Sequence, residues 1–222
     1  MQEKTSPTTS AAISGLDAMS RRMPVGMWIA VGVAAVLRLA ALGQKTLWCD
    51  ELAVVQRLGL GFLRHVRAMR GNHPLYELLL RAWASPESGD VWLRIPSALL
   101  GILAVWMTWR FLRALGRGEA MVVTWFVALS PLHIMYSRIA RAYSLAFTLA
   151  LASNLAFIWA IRRRKFLPFA AYILATVLMV YSNLAAGSIW IAQGCCRSSV
   201  ASARGVEDGL LSPGVTKDGF LS

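Results

Sequence analysis

Charged residues are scarce in this chain, and acidic residues are the scarcest of them. Only 15% of the 222 residues are charged, and 11 Asp and Glu stand against 23 Lys and Arg. Because soluble domains carry nearer a quarter charged residues, this composition argues against an ordinary water-soluble protein. The formal net charge of +12 does not indicate nucleic acid, since the basic residues lie between apolar segments rather than in one basic domain.

Cysteine is also rare, which limits the structural chemistry open to the chain. The three cysteines are Cys49, Cys195 and Cys196, and their spacing fits neither a metal site nor a disulfide framework. The redox compartment therefore stays open.

Apolar residues are abundant and are grouped in long segments. They make up 57% of the chain, with a mean hydropathy of +0.53. A transmembrane helix needs about 20 apolar residues. Segments of suitable length and composition cover residues 25–43, 92–112, 120–136, 142–161 and 166–191. We therefore predict an all-α, polytopic transmembrane helix bundle of five spans over residues 25–192.

The ends of the chain differ from this core in composition. Residues 1–24 are predicted to form a polar leader. Residues 193–222 are small and polar, and we expect a disordered tail of the kind that a truncation or a change of reading frame would produce.

The connection between the first two spans, residues 44–91, is too polar to cross a membrane. Apolar residues recur within it at helical spacing, at Leu52, Val55, Leu58, Phe62, Val66 and Met69, with Arg57, Arg64 and Arg67 on the opposite side. This pattern predicts a basic amphipathic helix in the membrane interface. A helix half-buried on a protein core would give the same periodicity.

The short basic connections predict the orientation of the spans. Basic residues cluster before the first span, between the second and third, and between the fourth and fifth, at Arg21, Arg22, Arg113, Arg117 and Arg162–Lys165. Such loops face the cytoplasm. We therefore expect a cytoplasmic N-terminus in a bacterial inner membrane, with the 44–91 loop and the 137–141 connection on the opposite side.

Two adjacent carboxylates, Asp50 and Glu51, directly follow the first span. Acidic residues in the first turn of a helix satisfy its free N–H groups and favourably oppose its dipole. Such capping accounts for one carboxylate more readily than for two. An ionisable residue inside a span is costly without a partner, and Arg38 poses the same question in the first span.

Four segments of the chain read, in order, LWCDELAVV, NHPLYELLLRAW, WLRIPSALLGILAVW and LSPLHIMYSRIARAYSLAFTLAL. Together they resemble the GT-C glycosyltransferases, in particular bacterial relatives of protein mannosyltransferases and of the lipid A aminoarabinose transferase. The resemblance covers residues 30–192. Because full-length members of the family are longer, it implies that the chain is the N-terminal piece of such a protein. It implies sugar transfer from a polyprenyl-phosphate donor lipid to a lipid, glycan or protein acceptor on the non-cytoplasmic side, with inversion at the anomeric carbon.

The resemblance also implies roles for particular residues. Asp50 matches the family's catalytic Asp, which would take the proton of the attacking acceptor. Glu51 matches its second acid, which would orient the acceptor or hold a divalent cation. Substrate-binding roles fall to the residues that match its histidine and its arginines, namely His73, Arg94, Arg138 and Arg141. Arginine suits the phosphate leaving group because its guanidinium fork is permanently charged.

The resemblance is incomplete at one place, and a second hypothesis stays open. Ile139 stands where relatives often carry Glu. The missing acid argues against a metal ion held between two loops. We therefore predict no certain cofactor, and a divalent cation at Glu51 stays possible. Arg94, Arg138 and Arg141 are equally consistent with ordinary anchoring at the membrane surface. The alternative is a non-catalytic polytopic membrane protein, such as a transporter-like subunit or a degenerate relative.

Overall fold

The computed structural model describes residues 23–40, 42–68, 74–163 and 166–183. Within these ranges the chain is all-helical and contains no strand. The helices in chain order are α1 (Val25–Leu39), α2 (Cys49–Leu58), α3 (Phe62–Ala68), α4 (Pro74–Trp83), α5 (Asp90–Ala114), α6 (Ala120–Leu129), α7 (Pro131–Ser137), α8 (Tyr143–Arg163) and α9 (Phe166–Ser182). The predicted tail, residues 193–222, lies outside the described residues. So does the predicted leader, residues 1–24, except for its last two residues.

Two helices, α5 and α8, are long and apolar enough to cross a membrane. A third candidate exists if α6 and α7 together form one bent span. The helices at the first and fifth predicted spans, α1 and α9, are apolar but have 15 and 17 residues. A 15-residue helix is about 22 Å long, short of a hydrocarbon core of about 30 Å. The five predicted spans are thus matched in part.

Helix α5 lies at the centre of the packing. It contacts α1, α6 and α7 on one side and α8 on another, and α8 also packs along α9. Small residues make this possible, because Ala98, Gly101 and Ala104 of α5 are buried. A Cβ atom on Gly101 would lie 2.6 Å from Ser137 Cβ, so α7 approaches α5 at a distance that requires glycine there.

The third predicted span is bent rather than straight. Helices α6 and α7 meet at an angle of 59°. The break falls at Ser130, whose side chain accepts a hydrogen bond from the His133 N–H, and Pro131 begins the next helix. Proline lacks the N–H that would continue the α6 ladder, so the helix ends there. The expectation of one continuous apolar helix over 120–136 is corrected accordingly.

The connection between the first two spans folds as three short helices, α2 to α4. The amphipathic helix predicted over residues 52–69 is divided, because Gly59 and Gly61 fall between α2 and α3, and glycine lowers helix stability. Val54 and Leu58 of α2 pack on Tyr76, Leu80 and Leu93 in one apolar core.

The opposite surface of these short helices is apolar and exposed. Leu52, Phe62 and Val66 all keep more than two fifths of their surface accessible. That surface fits the predicted interfacial position, which stays a prediction.

A pair of tryptophans joins the end of α4 to the start of α5. Their rings stack 4.8 Å apart, and each indole N–H donates to the other residue's carbonyl, at 3.0 Å from Trp83 and 3.1 Å from Trp92. The Trp92 carbonyl is available because Pro96, four residues on, has no N–H to donate to it. The stack therefore holds the end of α4 against the start of α5.

Candidate functional site

Asp50 and Glu51 lie in the first turn of α2 but point to different surroundings. Glu51 is 1% exposed, and its Oε2 accepts a hydrogen bond of 3.0 Å from the Trp48 N–H. It therefore caps the start of its own helix, as one of the sequence-based explanations proposed. The Asp50 carboxylate is 70% exposed and takes no part in this cap.

The Glu51 carboxylate joins three separate segments of the chain. Arg94 of α5 donates from Nε to Oε1 at 3.1 Å and from Nη2 to Oε2 at 2.8 Å. The Ala140 N–H donates to Oε1 at 2.6 Å. Two-pronged arginine–carboxylate contacts are among the stronger and more directional hydrogen bonds in proteins. Glu51 thus holds α2, α5 and the connection after α7 together.

Arg94 has further partners beyond Glu51. Its guanidinium donates to three carbonyl oxygens in the segment between α1 and α2, those of Leu42 (2.9 Å), Lys45 (2.7 Å) and Thr46 (3.2 Å). Its Nε and both of its terminal nitrogens are therefore engaged within the protein. The substrate-binding role predicted for Arg94 stays a prediction.

The electrostatics of Glu51 follow from these contacts. Burial by itself would raise the pKa of the Glu51 carboxyl, because it disfavours the charged form. The hydrogen bonds from Arg94, Ala140 and Trp48 outweigh that effect, so the pKa lies below its usual value. Glu51 is an ionised, fully engaged carboxylate, and its predicted contact with an acceptor or divalent cation stays a prediction.

Asp50 meets Arg141, which the chain supplies 91 residues later. Arg141 Nη2 and Asp50 Oδ2 are 3.0 Å apart. Arg141 is mostly buried, and its Nε has no hydrogen-bond partner among the residues that the structure describes. The two predicted site residues are thus brought together, with the carboxylate on the accessible side.

Two buried hydroxyl groups, those of Ser97 and Tyr76, support the backbone of Arg141. Ser97 Oγ donates to the Arg141 carbonyl at 3.3 Å, and the Tyr76 hydroxyl lies 2.7 Å from Ser97 Oγ. Burial raises the pKa of Tyr76, which keeps this phenol protonated as a donor. Neither residue was predicted from the sequence as part of the site.

The remaining predicted residues have different positions. Arg138 is half-buried at the end of α7, three residues before Arg141, and its backbone N–H donates to the Met135 carbonyl at 3.1 Å. His73 lies outside the described residues. No three His, Cys, Asp or Glu side chains in the described ranges come together as a metal site.

A groove of about 700 Å³ opens beside α7 and was not predicted from the sequence. It runs along α6, α7 and the start of α8, and most of its surface is apolar. The residues that line it include Phe126, Ser130, His133, Tyr136, Tyr143 and Phe147. The Tyr136 and Tyr143 rings, 4.6 Å apart, flank the connection that carries Arg141.

The fold and this site define a helical protein with membrane-length helices and a carboxylate–arginine pair at one end of its bundle. Comparison of the chain with known protein families, with curated proteins and with solved structures finds no match. The resemblance to GT-C glycosyltransferases therefore stays a hypothesis that rests on the residues quoted above.

Proposed function

We propose that the chain is a membrane glycosyltransferase of the GT-C kind, or the N-terminal piece of one. It would transfer a sugar from a polyprenyl-phosphate carrier to an acceptor on the non-cytoplasmic side of the inner membrane. The observation that carries this proposal is the pairing of an exposed carboxylate, Asp50, with a mostly buried arginine, Arg141, beside an apolar groove.

Such a site offers the two kinds of group that the reaction needs. As the acceptor oxygen forms its bond to the anomeric carbon, Asp50 would take the acceptor's proton. The bond from that carbon to the phosphate oxygen breaks, and the phosphate leaves with the electron pair. Arg141, with Arg138 nearby in sequence, would stabilise the growing negative charge, because a guanidinium placed in advance costs no reorganisation.

The groove suits the other half of the donor. A polyprenyl chain is apolar and must lie in the membrane while its phosphate reaches the surface. The groove is largely apolar, and its lining includes Tyr136 and Tyr143, which precede and follow the connection carrying Arg138 and Arg141 in the chain. A chain bound there would bring its phosphate towards the arginines.

The arrangement of basic residues supports the proposed orientation. Arg162, at the end of α8, donates to the Ala114 carbonyl at the end of α5, so two basic connections lie at the same end of the bundle. Met27 near the start of α1 packs with Trp109 and Ala120, at that end as well. Asp50 lies with the start of α5, at the other end. Basic connections favour the cytoplasmic side.

The test is sugar transfer by the purified chain in lipid vesicles. The probes are polyprenyl-phosphate hexoses and pentoses, with cell-envelope lipids and glycans as acceptors. We expect Asp50→Asn to lower turnover by about 10²–10⁴-fold, as loss of a general base does. Donor binding and thermal stability should stay close to those of the unchanged protein.

Glu87→Gln is the matched control, since Glu87 is an exposed carboxylate in the connection before α5. It should leave transfer unchanged. Near-normal transfer by Asp50→Asn would remove the proposed base. If no donor is bound or turned over by the unchanged chain, the alternative of a non-catalytic polytopic membrane protein is favoured.

A further inference from the structure

Arg38 is a cation buried inside the bundle near the end of α1. It has no exposed surface, and it makes no ion pair with any carboxylate in the described part of the chain. Nη1 donates to the carbonyls of Ala34 and Ala128, both at 3.1 Å. Nη2 donates to the Val127 carbonyl at 3.2 Å and lies 2.8 Å from His133 Nδ1. Burying a charged side chain inside a bundle costs free energy, so such residues usually have a structural or functional role.

Two of the carbonyls that Arg38 contacts, those of Val127 and Ala128, are the ones that the helix break leaves without a partner in their own helix. In a continuous helix the Val127 carbonyl would accept from residue 131, but Pro131 has no N–H. The Ala128 carbonyl would accept from Leu132, which now lies beyond the bend. Unpaired carbonyls in an apolar interior cost free energy. Arg38 supplies both missing donors from a different helix.

Arg38 also fixes the segment after the break. Because arginine can only donate, His133 Nδ1 must accept from it. Ser137, one turn later, donates to the His133 carbonyl at 2.6 Å and packs against Gly101. The side chain of Arg38 lies against the same place, since a Cβ on Gly101 would be 3.3 Å from its Cδ.

The segment so held is the one that leads to the site. Three residues after Ser137, the Ala140 N–H donates to Glu51, and the next residue, Arg141, pairs with Asp50. We propose that Arg38 is a positioning residue that holds the α6–α7 bend and thereby sets where Arg141 meets Asp50. The inference draws on the proposed function only in treating Arg141 as a working side chain, and its test needs no transfer activity.

The experiment measures the distance between spin labels on either side of the site. Labels go on cysteines at Leu52 of α2 and Leu132 of α7, both exposed. Leu132 also lines the apolar groove, but the distance measurement needs no bound donor and no transfer. The native cysteines Cys49, Cys195 and Cys196 are replaced by Ser. In Arg38→Gln, at a temperature where the protein is folded, we expect the distance distribution to move and broaden by several ångströms. A merely stabilising role would lower the melting temperature and leave the distance unchanged.

Two further variants make the result specific. Arg110→Gln is the matched control, because Arg110 is an exposed arginine on α5 that lies over the Trp106 ring, 5.5 Å from its centroid. It should leave the distance unaltered. Arg38→Lys keeps a charged donor and should restore the distribution in part. A folded Arg38→Gln protein with the native distance distribution overturns the proposal.

If Arg38→Gln does not fold, the double variant Arg38→Gln/Pro131→Ala decides. Replacing the proline restores an N–H for the Val127 carbonyl, and a continuous helix supplies Leu132 to the Ala128 carbonyl. We expect this protein to fold with a straighter helix and a shifted label distance. Failure of the double variant to fold, or a native label distance in it, would contradict the proposed role.

Discussion

The two neighbouring carboxylates of α2 have the same chemistry and opposite surroundings. Glu51 is 1% exposed and accepts four hydrogen bonds, from Arg94, Ala140 and Trp48. Asp50 is 70% exposed and has one contact with Arg141. Each pairs with an arginine from a distant part of the chain.

The difference shows which of the two carboxylates is held firmly in place and which can change its partner. A buried ion pair loses its hydration, so it is stable only with good geometry and with its remaining hydrogen bonds satisfied. Glu51 and Arg94 meet that condition and are therefore held in place. Asp50 keeps much of its hydration and can exchange Arg141 for another partner at small cost. One pair fixes the segments, and the other leaves its carboxylate accessible at the surface.

The largest effect is expected from breaking the buried pair. Glu51→Gln removes the charge that compensates Arg94 and weakens the links to Ala140 and Trp48. Removing one partner of a buried ion pair costs about 3–5 kcal/mol. We expect a correspondingly large fall in the midpoint of thermal unfolding in detergent.

Asp90→Asn is the control for this variant, since Asp90 is the first residue of α5 and is half-buried. Its effect should be far smaller. If Glu51→Gln is no less stable than Asp90→Asn, the buried pair does not hold the three segments.

A smaller effect is expected from acid, and its direction follows from the lowered pKa of Glu51. A carboxyl whose pKa is lower in the folded protein contributes stability that is present above its unfolded pKa, about 4.3. That contribution is lost as the pH falls through the folded value. The midpoint of thermal unfolding should therefore decline below about pH 4. Near pH 7 the contribution of Glu51 to stability should not change with pH.

Comparison with Glu51→Gln isolates this contribution. The variant lacks the titrating group, so its unfolding midpoint should fall less steeply in the same acid range. Parallel curves for the two proteins would show that other carboxyls dominate the acid response.

Much of the fold could be predicted from hydropathy, because apolar segments of about 20 residues report their own length. The positions of α5 and α8 agree with the segments predicted over 92–112 and 142–161. The bend after α6 was missed because residues 120–136 are uncharged and mostly apolar on both sides of it, so average hydropathy does not report the bend. Pro131 was the available signal, since proline lacks the N–H of a helical turn.

The site was less accessible from the sequence. The capping of α2 by Glu51 is local and was considered. Its partners Arg94 and Ala140 are 43 and 89 residues away, and one of them acts through its backbone. No side-chain pattern reports a backbone donor. Resemblance predicted Asp50 and Arg141 in one site, but no sequence pattern predicts their contact, which joins residues 91 positions apart.

Prolines in two helices teach a further lesson about buried backbone. Pro96 frees the Trp92 carbonyl, which accepts the Trp83 indole, and Pro131 frees the Val127 carbonyl, which accepts Arg38. In both cases a side chain from another element supplies the missing donor. A proline in an apolar helix thus creates a place where a neighbouring polar side chain docks.

The smallest effect on stability is expected at the exposed pair, and it separates the two carboxylates most sharply. Asp50→Asn should change the free energy of unfolding by less than about 1 kcal/mol, since exposed ion pairs contribute little. At about 1 M salt the Debye length is about 3 Å, so most of the remaining contribution should be screened. Glu51→Gln should keep its effect in the same salt, because a buried pair is screened much less. The measurement is the unfolding midpoint of both variants and the unchanged protein at low and high salt. An effect of Asp50→Asn that is large and insensitive to salt would mean that Asp50 also holds the fold. Its pairing with Arg141 would then be as fixed as that of Glu51 with Arg94, and Asp50 would not be free to take a proton from an acceptor.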